Sequence, residues 1–78
     1  MAGYHAQAIA MIRKGEWDAA HRLIQSYSDS LALVIHGYLH RVEGVVWYAR
    51  YWYRRAGEPM PENSLEEELE RLYVRCGK

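Results

Sequence analysis

Three glycines divide this chain. Gly15 follows Arg13-Lys14, Gly44 follows Arg41-Val42-Glu43, and Gly57 follows Arg54-Arg55-Ala56. Cations in a last helical turn complement the carbonyl end of the dipole, and a glycine just beyond accepts the left-handed cap. Each glycine therefore marks a helix end, and the pattern predicts helices at about 4–14, 17–28, 31–43, 46–56 and 64–76. Ser28-Asp29-Ser30 supplies the turn and N-cap between the second and third. Pro59 and Pro61 exclude a continuing helix from the linker-like stretch 57–63, which runs into the capping box Ser64-Leu65-Glu66-Glu67. Leu65, Leu69, Leu72 and Cys76 then recur at helical spacing, so the last helix is expected to bury that stripe and show its glutamates to water. No segment alternates long enough to argue for a sheet. The expected fold is all-α, one domain over 1–78, with two antiparallel helical hairpins and a C-terminal capping helix.

At 78 residues the chain suffices for one small core and not for a large buried active site. Ten basic residues balance ten acidic ones, so no bulk field draws it to nucleic acid or to an anionic membrane, and neither is expected as a partner. The balance hides a division: residues 1–57 hold seven cations and four anions, while 58–78 hold three and six. The acidic end is thus able to lie against a basic body. Cys76 stands alone, which leaves no disulfide framework and suits a reducing cytoplasm. Without a charged leader before an apolar stretch, or a run near the roughly 20 residues that span a bilayer, the reading is a soluble chain with no targeting signal.

An internal repeat appears at an offset of 29 residues: Gly15-x4-Ala20 recurs as Gly44-x4-Ala49, with Trp17 and Trp47 near the start of each second helix. Gly15-Glu16-Trp17-Asp18-Ala19-Ala20 and Ala49-x3-Tyr53-x2-Ala56 resemble tetratricopeptide and Sel1-like helical repeats, which use a small residue where paired helices approach closely. That resemblance implies helical hairpins and a role in protein or peptide binding. Asp18-Ala19-Ala20-His21, His36-x-Tyr38-Leu39-His40-Arg41-x-Glu43-Gly44 and Tyr51-Trp52-Tyr53-x2-Ala56-Gly57 are similar to a small group of uncharacterised bacterial helical proteins. In that pattern the turn after Glu-Gly continues with an aspartate and then a polar or small residue. Here it reads Val45-Val46-Trp47-Tyr48, four apolar or aromatic residues at an ordinarily polar turn.

The aromatic complement is three Trp, seven Tyr and no Phe, so every ring but those of histidine carries a polar handle. With Ala49, Tyr53 and Ala56 as the packed side of the fourth helix, a rotation of about 100° per residue places Val45 and Trp52 with the core and Val46 at its margin. Trp47, Tyr51 and Arg54 point away, bordered by Tyr48 and Arg55. Large rings beside arginine are the residue types that dominate binding hot spots. On the third helix the expected core stripe is Leu31, Ile35, Tyr38, Leu39 and Val42, which leaves Leu33, Val34 and Gly37 as a second apolar surface. On the first helix His5, Ala8, Ile9 and Ile12 face inward, with Tyr4, Gln7 and Met11 outward. Trp17, Trp52, Tyr27, Tyr38 and Tyr53 are assigned to the core. A rival account buries both faces of helices three and four between the first and last helices.

His36 and His40 are four apart and Glu43 three further, a spacing that puts two imidazoles and a carboxylate on one helical face, with His21 able to join from the neighbouring helix. The preferred reading is interhelix hydrogen bonding, with no metal and no cofactor; a small metal or ligand site around these four residues is the alternative. Tyr51-Trp52-Tyr53-Arg54-Arg55 interleaves rings and cations, but consecutive helical residues diverge and form no single stacking platform. Ser26, Ser28 and Ser30 read as turn and cap residues, Cys76 as a packing residue, and no catalytic constellation is expected.

The leading expectation is a protein-binding module, a bacterial helical scaffold with its surface redesigned for a chosen partner. Trp47 and Tyr51 are the anchors, Tyr48, Val45 and Val46 the surrounding contact, Leu33 and Val34 the second helix's share, and Arg50 and Arg54 the polar rim. An antibody constant region or an enzyme cleft would offer a suitable pocket, though no residue selects either. A symmetric homodimer through the same face is a further alternative. His36 or His40 near the contact would make binding vary between about pH 5 and 8.

Overall fold

The computed structural model describes residues 3–77. It contains five helices, α1 Gly3–Arg13, α2 Trp17–Ile24, α3 Ser30–Glu43, α4 Val46–Arg55 and α5 Leu65–Arg75, with no strand among the described residues. α1 pairs with α2 and α3 with α4, as the repeat implies, and α5 packs on α3 and more lightly on α1. None of the helices is long and apolar enough to cross a membrane.

The helix ends follow from local chemistry. At Gly44 the backbone takes φ 94°, where a side chain would be strained, and its N–H closes α3 on the carbonyls of His40 and Arg41. Ser64 accepts from the Glu67 N–H while the Glu67 carboxylate accepts from the Ser64 N–H, so the capping box forms in full. The expected second helix was too long: α2 stops at Ile24. The chain beyond it is used instead to stack Tyr27 on Tyr4, with rings 3.7 Å apart and nearly parallel, and Tyr27 is 38% exposed rather than a core residue. Asp29 caps α3 through the Ala32 N–H and also accepts from the Tyr4 hydroxyl and the His5 ring.

α3 is the central helix. Residues 32–40 are buried without interruption, so the second apolar surface expected at Leu33 and Val34 does not exist. Sequence periodicity had assumed one wet face, whereas α3 has neighbours on all sides; its polar turn lies at the C-terminal end, where Val42 is 42% exposed. Sandwiching, the rival account, holds for α3 and fails for α4. Gly37 accepts no outside partner but the protein's own Tyr53. A Cβ there would lie 2.8 Å from Tyr53 Cδ1 and 3.0 Å from the Ala49 carbonyl oxygen. Gly37→Ala is therefore expected to lower stability by about 1–3 kcal/mol through overpacking, measured by urea denaturation.

α5 departs from its expected pattern too. Leu72 is fully buried, but Leu65 is 40% exposed, and the buried stripe runs through Glu68, which has no exposed surface. Among the described residues the acidic end meets the basic body in few ion pairs: Glu70 approaches Arg13 of α1 at 3.7 Å, while Glu58 is taken up by Arg71 and Arg75.

Candidate functional site

The outer face of α4 belongs to a helix that, among the described residues, packs chiefly on α3. Ala49 and Tyr53 are buried against α3. The rotation that buries them turns Trp47 and Tyr51 outward: Trp47 is 73% exposed, and Tyr51 and Val46 are each 44% exposed. Tyr48 is half-buried between this face and α3, its ring 5.2 Å from Trp47 and 6.0 Å from Tyr51. Val45 is half-buried, while Arg50 and Arg54 are exposed and line an open groove of about 450 Å3 with Gly57, Glu58, Pro59 and Met60. Trp47, Tyr48 and Tyr51 thus form one aromatic group, Arg50 and Arg54 lie along the groove, and Leu33 and Val34 are buried. Sequence reasoning gave Arg55 only a bordering place. Its guanidinium lies 5.0 Å from the Trp52 ring and 5.9 Å from the Tyr51 ring, the i+3 and i+4 positions at which a helical cation reaches earlier rings.

The start of α4 is poorly made for stability. Its N-cap is Val45, which offers no side-chain acceptor to the free N–H groups of the first turn. A serine, threonine or aspartate there ordinarily stabilises by about 0.5–2 kcal/mol. The repeat-related tryptophans also differ. Trp17 is half-buried and donates its indole N–H to the Leu39 carbonyl at 2.8 Å, because α3 lies over that side of the first hairpin. Trp47 has no such cover among the described residues.

Beneath the aromatic face lies a group of histidine rings. His36 and His40, one turn apart on α3, are each 5% exposed, and His21 of α2 is half-buried beside them. Rather than bonding one another across helices, the rings pack: His21 meets His36 and His40 edge to face at 4.8 and 5.5 Å. Trp17 stacks on His21, Trp52 stacks on His36 at 3.7 Å, and Tyr48 lies 4.4 Å from His40. His40 Nδ1 bonds Glu43 at 2.8 Å, the local pair expected from the spacing. Burial, then the neighbouring His21 and His40 and the Arg55 guanidinium, hold His36 down at about 4. Burial and His40 lower His21 as well. Burial raises the Cys76 thiol, as suits a packing residue.

Searches of known protein families, of characterised proteins and of solved structures give no match to this chain. Only its own residues bear on what it does.

Proposed function

We propose that this protein is a protein-binding module whose contact surface is the outer face of α4. Trp47 and Tyr51 act as anchors, with Tyr48, Val45 and Val46 around them and Arg50, Arg54 and Arg55 at the rim. The observation that carries the reading is the 73% exposure of Trp47 within a continuous aromatic face. An indole left in water forgoes burial that every other tryptophan here receives at least in part. Val45 supports it: an apolar side chain occupies an N-cap where a polar one would stabilise the helix, at the position where the resembled bacterial pattern carries aspartate. In this reading the turn is a redesigned surface on a helical scaffold, and binding comes from desolvating the rings in a partner's pocket.

The test is a library selection for binding partners followed by calorimetry on the purified pair. Trp47→Ala is expected to weaken binding by at least about 2 kcal/mol, roughly 30-fold, while leaving the urea midpoint nearly unchanged. Val45→Asp is expected to weaken binding and raise stability by about 1 kcal/mol, the opposite signs of a surface held for contact. A partner whose affinity ignores both substitutions would refute the assignment. Sedimentation over a range of concentrations reads the homodimer alternative directly, since self-association abolished by Trp47→Ala makes the partner a second copy.

A further inference from the structure

Two buried side-chain nitrogens among the described residues lack a hydrogen-bond partner, His40 Nε2 and Trp52 Nε1, and both belong to the histidine group. The first has a chemical consequence. A carboxylate only accepts, so His40 donates Nδ1–H to Glu43 at 2.8 Å, and in the neutral ring Nε2 carries the lone pair. One ring nitrogen from each of His21, His36 and His40 falls within 4.8 Å of the others. Two histidines four apart on one helix and a third from the adjoining helix form a facial set. A carboxylate bonded to the far nitrogen of a ligand is the usual outer partner of a metal-bound imidazole.

We propose that His21, His36 and His40 bind a single divalent transition-metal ion of the zinc class, with Glu43 orienting the His40 ring. Three neutral imidazoles suit zinc, cobalt, nickel or copper and not calcium or magnesium, which require oxygen ligands. Glu43 brings an anionic charge to the group through its contact with His40. Zinc bonds imidazole nitrogen at about 2.0–2.1 Å, which places tetrahedral ligands about 3.4 Å apart, so nitrogens now up to 4.8 Å apart close by up to about 1.4 Å on binding. His21 is half-buried and on a different helix from the other two, and rotation of its ring supplies that movement. None of the three ligands belongs to the proposed contact surface, which borders the site through Tyr48 and Trp52.

The full chain, stripped with chelator, is titrated with zinc by calorimetry and with cobalt by visible absorption at neutral pH. One ion per chain, a chelator-reversible rise in the thermal midpoint and the ligand-field bands of four-coordinate cobalt are expected. His21→Ala removes a ligand at the edge of the core and should weaken zinc binding by at least about 100-fold, while Glu43→Gln should weaken it by about 10- to 100-fold. Trp47→Ala should leave zinc affinity unchanged, so failure of the contact surface and failure of the metal site are read separately. Equal midpoints with zinc and with chelator would overturn the proposal. So would zinc binding that survives His21→Ala and Glu43→Gln intact, which would place the ion on other side chains.

Discussion

Glu68→Ala lowers stability by about 3 kcal/mol or more and the thermal midpoint by about 15 °C, as read by circular dichroism. The cost arises from what is left behind. Glu68 is completely buried and its carboxylate accepts from the Tyr53 hydroxyl at 2.7 Å, from the Asn63 amide at 2.8 Å and from two nitrogens of Arg71, both at 2.8 Å. Arg41 in turn bonds Asn63, so the network joins α3, α4, the connecting loop and α5. The Arg71 side chain is 39% exposed and recovers water when the carboxylate goes. Tyr53 has no exposed surface, and its orphaned hydroxyl pays the desolvation in full. Burial, with Glu68 as acceptor, holds the phenol above its usual range, so it stays a donor throughout the accessible pH. Tyr53→Phe introduced into the Glu68→Ala chain should restore part of the loss, since it removes the group left unpaired.

Metal-free protein loses up to about 3 kcal/mol between pH 6.5 and about 4 through His36 alone. The unfolded chain protonates this histidine at its ordinary 6.5, whereas the folded chain resists until about 4. Between those values the unfolded state binds more protons, so stability falls as pH falls, and each unit of separation is worth about 1.4 kcal/mol. Burial is the main cause, and the rings of His21 on α2 and His40 on α3 and the Arg55 guanidinium on α4 act in the same direction. His21 adds to the slope with the same sign. Asp29 and Glu68, both held below the usual carboxylate range by their hydrogen bonds despite burial, lose their contribution only at lower pH. Urea melts in chelator at a series of pH values measure the slope, and His36→Gln should flatten it above pH 4.5 whatever it does to absolute stability. A slope unchanged by the substitution would locate the acid sensitivity elsewhere.

The helix ends were legible because glycine, proline and capping residues act within a few positions of themselves. Gly44 and Ser64 fixed the bounds of α3 and α5 to within a residue. The face of α4 was legible for a related reason: with Ala49 and Tyr53 inside, the helical rotation leaves Trp47 and Tyr51 nowhere else to point. What failed depended on how many neighbours a helix has. An unbroken apolar run from Leu31 to Ile35, with Gly37 and Leu39 beyond it, belongs to a helix buried all round, and assigning it a single stripe exposed Leu33 and Val34 wrongly. Glu68 was misplaced because a carboxylate reads as solvated until its partners are known. Its spacing from Leu72, four residues on and on the buried side, and from Arg71 three residues on, was the available signal. The histidine spacing was visible, but the convergence of three ring nitrogens depended on the crossing of α2 and α3.

Asp29 gives the fold a property that its helices lack singly. The same carboxylate caps α3 and accepts from Tyr4 and His5 in the first turns of α1. Chain ends usually fray independently of the interior. Here, loosening the first turn of α1 withdraws two donors from the cap of the most buried helix, so Tyr4 and His5 are tied to the start of α3.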